Sequence, residues 1–476
     1  MMWLLLPAFA EEPKIEVPDR SHAPDVLAPV PLELDDLERH ELGEGLEVWH
    51  VRVPRLRKAT IEVTWWAGRV DLSDQKQSAH SVVGSVWDVA SEKYDSAELS
   101  ELADVLDMTL WGYLGDHQMA AGVQVPLDEL DKGLDVLADV ALHPAFPGRE
   151  IKLDKEQTVR FFEILGPASP RRIVGSALTY AWNPADHPYG YRPDPDAYSK
   201  VKRGEVFAVH EQMMAEGPVS ILVVGDLSWE DVEERLKTRF GTLGAAGERS
   251  EVLDAPVPTQ TRVIAVAVPD AEQVSIRMRQ SAPARTDERN AAMEAVSYAL
   301  GGHFLARLNK NLREDKGWTY GVGAWYSAGR KRGSFNVSVD VPADKFAPAV
   351  TEIEKEIATI AAEGTTDEEI DAWWRADVMQ FNKIRGTIDD AYSFYSNNLE
   401  EQETVADALA RIDAADKMTV ARTAEVASEV LSADAPRIWV VVGPKDAIVK
   451  GVDALEWEVE WISPKDAILG RFEGGL

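Results

Sequence analysis

Arg313 and Tyr320 are the residues whose types and spacing point most directly to chemistry. A guanidinium offers a fixed fork of donors to a carbonyl or carboxylate, and a phenol donates to an oxygen that gains charge. The stretch that carries them, Gly301 to Tyr326, first repeats apolar residues at helical spacing (Phe304, Leu305, Leu308, Leu312). Gly317 then suits a left-handed helix end. Beyond it Trp318, Tyr320, Val322, Ala324 and Tyr326 are expected on one face of a strand, while Gly321 and Gly323 leave the other face bare. Arg313, in the last helical turn, then comes near Tyr320 beside a smooth backbone on which a peptide can lie. The structural alternative is an arginine on a solvent face and a tyrosine in a core.

No local metal-binding pattern competes with this pair. The two closest histidines, His40 and His50, are ten positions apart, and nothing resembles the i, i+3 or i, i+4 pair of a helical site. With no cysteine in the chain, disulfides and thiolate metal sites are excluded. The net charge of −32 excludes the basic footprint that nucleic-acid binding needs and disfavours anionic membrane surfaces.

At 476 residues, 45% of them hydrophobic, the chain is expected to fold as more than one domain. The opening MMWLLLPAFA ends in an A-x-A pattern and reads as a signal peptide over residues 1–10. A proline- and charge-rich lead-in follows over 11–31. No later segment approaches the ~20 apolar residues of a membrane helix, so the expected location is the periplasm or the exterior.

The elements then occur twice. In residues 32–241, strands around Leu46 to His50 and Ala59 to Trp66 precede a helix expected from Ala79 to Lys93. A strand ending Val123-Gln124-Val125-Pro126 leads to an amphipathic helix, and Ser220 to Gly225 reads as a buried strand. Residues 242–260, rich in glycine, alanine and proline, read as a linker. Residues 261–476 repeat the order: Pro126 and Pro342 are 216 apart, and Gly225 and Gly443 are 218 apart. Thr366 to Glu369 reads as a capping box. Internal duplication accounts for this layout. Each half is expected to be α+β, an α/β roll in which a mostly antiparallel sheet is covered by helices.

The run Leu312-Arg313-Glu314-Asp315-Lys316-Gly317-Trp318-Thr319-Tyr320-Gly321 resembles the arginine/tyrosine segment of insulinase/pitrilysin-family zinc metallopeptidases. Asp186-His187-Pro188-Tyr189-Gly190 similarly resembles a loop of that family's catalytic halves. The resemblance implies two halves facing each other across a chamber, with zinc and base supplied by one half and an arginine and tyrosine reaching over from another. It also locates the His-x-x-Glu-His zinc motif, in which two imidazoles one turn apart bind the ion and the glutamate takes a proton from its water. The corresponding residues here are His80, Val83 and Gly84, so the base and second imidazole are missing. Glu163 matches the family's further glutamate and is expected to be solvated or ion-paired.

Some bacterial members of the family divide the roles between two polypeptides. The expectation is therefore a zinc-free partner subunit of a secreted heterodimeric metallopeptidase, with Arg313 and Tyr320 holding peptide and no catalytic residue of its own. It is expected to bind no cofactor, the zinc belonging to the partner. The alternatives are a scaffold of the same fold that has lost catalysis, and an autonomous hydrolase using His80, His117 and Glu163.

Overall fold

The computed structural model describes residues 37–43, 45–244 and 247–472; the segments 1–10 and 11–31 lie outside them. The first sheet contains β1 (Leu37–Leu42), β2 (Leu46–Arg52), β3 (Lys58–Trp65), β4 (Thr109–Leu114), β5 (Met119–Pro126) and β6 (Val219–Gly225), in the order β1-β2-β6-β3-β5-β4. The second contains β7 (Arg262–Ala267), β8 (Gln273–Ala282), β9 (Val322–Ala328), β10 (Gly333–Pro342), β11 (Arg437–Gly443) and β12 (Glu460–Ile462), in the order β12-β7-β11-β8-β10-β9.

Omitting β1 and β12, the two orders coincide strand for strand, as the repeated sequence pattern implied. Antiparallel pairs predominate, with β2–β6, β7–β11 and β7–β12 parallel. The outermost strand breaks the repeat: β1 forms an antiparallel hairpin with β2, whereas β12 lies parallel to β7.

The central strands β6 and β11 are buried at every position. A continuous apolar run needs cover on both faces. One face of each sheet is covered from its own half. Val48, Ile61, Val123 and Ile221 pack on Val82 and Val86 of the helix Gln77–Val86, Leu134 and Leu137 of Leu130–Leu142, and Val209 of Arg203–Glu216. In the second half Ile276, Val339 and Val441 pack on Val296, Val350 and Ile353.

The opposite faces are covered by the other half. Trp49, Val51, Leu222 and Val224 of the first sheet meet Val378, Phe381, Tyr395 and Leu399 of the second half. Ile264, Val266, Ile438 and Val440 of the second sheet meet Ile173, Val174, Ala177 and Trp182, which all lie on the first-half helix Pro170–Trp182. The halves are thus interlocked, and a cavity of about 790 Å³ opens along their seam.

Two local expectations are corrected. The helix expected to reach Lys93 ends at Val86, and the chain turns so that Ser91 can bridge Pro144. The stretch from Gly301 is not one helix: wide π-type turns at Tyr298–Gly302 and Asn309–Asp315 flank an irregular bend. The bend lets Gly301 approach β9 so closely that a side chain there would meet the backbone of Ala324 at 2.3 Å.

Candidate functional site

Arg313 projects from the turn Asn309–Asp315. Gly317 ends that turn at φ +64°, with its N–H bonded to Arg313 O at 3.1 Å and the Trp318 N–H to Leu312 O at 2.9 Å. The strand begins only at Val322, not at Trp318. Thr319 Oγ1 both donates to Gly321 O (2.9 Å) and accepts from Gly321 N–H (3.1 Å), turning the chain outward. Tyr320 is therefore 95% exposed instead of lying on the core face with Val322 and Ala324.

Asn309, which the sequence reading missed, holds the two pieces together. Its buried amide accepts from Val322 N–H at 3.1 Å and donates to Val322 O at 2.9 Å, so the Arg313 turn and the start of β9 move as one unit. Its only sequence signal was a polar residue within an apolar stripe.

The guanidinium of Arg313 lies 3.9 Å from the Phe304 ring centroid and 5.9 Å from that of Tyr320. Its Nη1 is buried and has no hydrogen-bond partner. Phe304, the ring against which Arg313 packs, is itself exposed, as is its neighbour in sequence Leu305. Ring faces orient this arginine, and its donor capacity is not consumed by an ion pair.

The degenerate zinc position lies elsewhere, on the seam cavity. His80 and Gly84, one helical turn apart, both line it, whereas Val83 points into the first core. His80 is buried, and its Nε2 has no partner. Burial, reinforced by the Arg69 charge, holds its pKa down at about 4, so it is neutral near pH 7. Glu163 is not on the cavity; it is ion-paired to Lys465 at 2.7 Å. His117 does line the cavity, but its nitrogens face Ser250 Oγ (3.0 Å) and Tyr189 Oη (2.8 Å). One unpaired imidazole with neither second imidazole nor base does not fit a catalytic zinc, and His80, His117 and Glu163 are not brought together.

Tyr189 shows what the Asp186 to Gly190 loop does in this chain: its Oη also accepts from Leu253 N–H at 2.9 Å, tying the loop to the connecting segment. Gly190 allows the loop to close, because a side chain there would meet Pro184 O at 1.6 Å. The cavity wall carries Arg69, Arg249, Arg330 and Arg332. Arg69 is paired with Asp116 at 2.6 Å. The other three donate to neutral groups: Arg249 to Leu399 O, Arg330 to Glu401 O, and Arg332 to Asn183 Oδ1 and Pro256 O. Burial, then the charge of Arg330, draws Arg249 down to about 10. Asp116, Glu400 and Glu401 line the same cavity, so its wall is of mixed charge.

Comparison with known proteins agrees with this description. A family profile described as "Peptidase M16 inactive domain" matches residues 200–373. A Mycobacterium leprae protein named an uncharacterized zinc protease is 22% identical over 342 residues, covering 70% of this chain and 75% of that protein. The solved peptidase M16 inactive domain from Pseudomonas fluorescens superposes with TM-score 0.74 at 20% identity, over 86% of this chain and 98% of that one. The periplasmic protease PqqL from Escherichia coli gives 0.72 at 14% identity, over 90% of this chain and 48% of that one. The fold class is that of M16 inactive-domain proteins, two helix-covered mixed sheets. At the place where the insulinase/pitrilysin family's zinc motif would fall, the chain carries His80, Val83 and Gly84.

Proposed function

We propose that this chain is the partner subunit of a periplasmic or secreted heterodimeric insulinase-like metallopeptidase, binding and positioning peptide while a second subunit supplies the catalytic zinc and the base. The observation that carries this reading is the placement of Arg313 and Tyr320. A pair serving a site within its own chain should face His80. Instead β9, seven residues and so roughly 20 Å long, separates Tyr320 from the cavity residues Gly329 and Arg330. The pair faces outward, beside an exposed apolar surface that a second chain can cover.

In this role the fork of Arg313 holds a peptide carbonyl or carboxylate. Tyr320 donates to the oxygen that gains charge during attack. The apolar opening of the sequence and the likeness to a periplasmic protease support the location.

The test is peptide hydrolysis by the purified chain alone and mixed with a zinc-motif relative encoded nearby. No hydrolysis alone and a raised rate in the mixture is the expected result. Arg313→Ala or Tyr320→Phe should then lower the mixture's rate by about a hundredfold, the usual scale for removing one transition-state donor. Chelator-sensitive hydrolysis by the chain alone overturns the proposal; inactivity with no effect on any relative replaces it with the scaffold reading.

A further inference from the structure

The β1–β2 hairpin brings three groups with metal-ligand chemistry onto one face of the first sheet's edge. Side chains alternate along a strand, so Glu38 and His40 project to the same side. The antiparallel register sets Glu38 directly opposite His50. His40 Nε2 lies 3.0 Å from Glu38 Oε2, and His50 Nδ1 lies 3.4 Å from the same oxygen. One ligand atom from each residue lies within 4.8 Å of the other two. An ion bound tetrahedrally at about 2.0–2.1 Å keeps its ligands roughly 3.3 Å apart, so small adjustments complete the geometry.

A second, independent observation is the state of His50. The ring is 2% exposed, and its Nε2 lies 3.0 Å from the carbonyl oxygen of Leu227. A carbonyl only accepts, so Nε2 carries the proton. Nδ1 then turns a lone pair toward a carboxylate oxygen, which is also only an acceptor. Two acceptors at 3.4 Å repel unless a cation lies between them, either a second proton or a metal ion. An imidazole that ligates through one nitrogen while its other N–H is fixed by a backbone carbonyl has the second-shell pattern of a metal-binding histidine. His40 is fixed as well, stacked on Trp229 with centroids 3.7 Å apart and planes 2° from parallel. The Glu38 side chain is 59% exposed, which gives an ion a route in and a water a fourth position.

We propose that Glu38, His40 and His50 form a three-ligand site for a divalent transition-metal ion, zinc being the best match to two imidazoles and one carboxylate. The ion ties β1 to β2 and, through His50 and Trp229, to the segment that follows β6. None of the three ligands lines the cavity that His80 faces. This departs from the expectation that the chain holds no metal, which was drawn from the incomplete helical motif, the spacing of the histidines along the chain and the absence of cysteine.

The test is titration of the chelator-stripped full-length protein with Co(II), followed by displacement with Zn(II). One equivalent of Co(II) should bind with the visible absorption of a low-symmetry four-coordinate ion, and zinc should remove that absorption while raising the melting temperature. His40→Asn and Glu38→Gln, both at partly exposed positions, should fold like the parent by circular dichroism and weaken binding by about a hundredfold or more; His80→Ala should leave it unchanged. The absence of a Co(II) spectrum overturns the proposal. So does binding that is unchanged in His40→Asn and Glu38→Gln, or lost in His80→Ala. The partner-subunit reading is unaffected by either result, because it is measured through the relative's activity.

Discussion

Glu294 gives the fold a pH dependence that net charge alone does not supply. Burial, with the nearby charge of Asp377 next, raises its carboxyl from 4.5 to about 7, although Arg411 and Arg285 pull the other way. Between those two values the folded chain retains a proton that the unfolded chain has released. Stability therefore falls as pH rises from about 4.5 to 7, and this contribution levels off above that. Glu294→Gln, which keeps the shape and removes the titration, should reduce the fall in melting temperature between pH 5 and pH 7.5. An identical slope in parent and variant would assign the dependence to other carboxylates. At this scale the sequence was legible where the chemistry was local. The left-handed glycine at 317 and the closeness of Arg313 to Tyr320 both follow from a helix end. The exposure of Tyr320 was not legible, because it depends on the bond between the Thr319 hydroxyl and the Gly321 backbone. Nor was the grouping of Glu38, His40 and His50: a spacing of ten between histidines means nothing until strand register makes them neighbours.

Among the elements, the helices that cross between halves are the main departure from two self-contained rolls. Ile173, Val174 and Ala177 form a stripe that any reading of periodicity assigns to a core. Which core is a matter of topology, and periodicity carries no information about it. The Thr366–Glu369 capping box was legible for the opposite reason, since cap and helix lie within four residues. The exchange has a measurable consequence. Ile173→Ala removes a fully buried side chain of the first half from the second sheet, at a cost of about 2–5 kcal/mol. The loss should appear in probes of the second half, such as the fluorescence of Trp439, buried within β11. Destabilisation confined to first-half probes would mean that the Pro170–Trp182 helix contributes little to the second sheet.

For the whole molecule, the interlock decides what counts as a folding unit. Each sheet has one apolar face that its own half does not cover: Val51, Leu222 and Val224 in the first, Ile264, Val440 and Val442 in the second. Two lone halves would expose these faces to water, and strands buried on both sides do not tolerate that. Polar contacts across the seam add to the requirement. Buried Glu62 accepts from Tyr392 Oη, and Arg332 donates to Asn183 Oδ1 at 2.7 Å. The connecting segment is itself pinned, with the Arg249 guanidinium 3.4 Å from the Trp66 ring centroid and Ser250 N–H bonded to Trp66 O at 2.9 Å. The covalent link is then far less important than the surfaces it joins. A single proteolytic cut at the exposed residues 247–248 should leave the fragments together on a sizing column, unfolding in one transition near the parent's denaturant midpoint. Residues 37–241 and 261–472 produced separately should aggregate or show molten character, and refolding them together should restore the parent's spectrum. Two fragments that each unfold cooperatively alone would show that the shared faces are docking contacts between finished domains. In that case Ile173→Ala should also leave second-half probes unmoved, so the two experiments check each other.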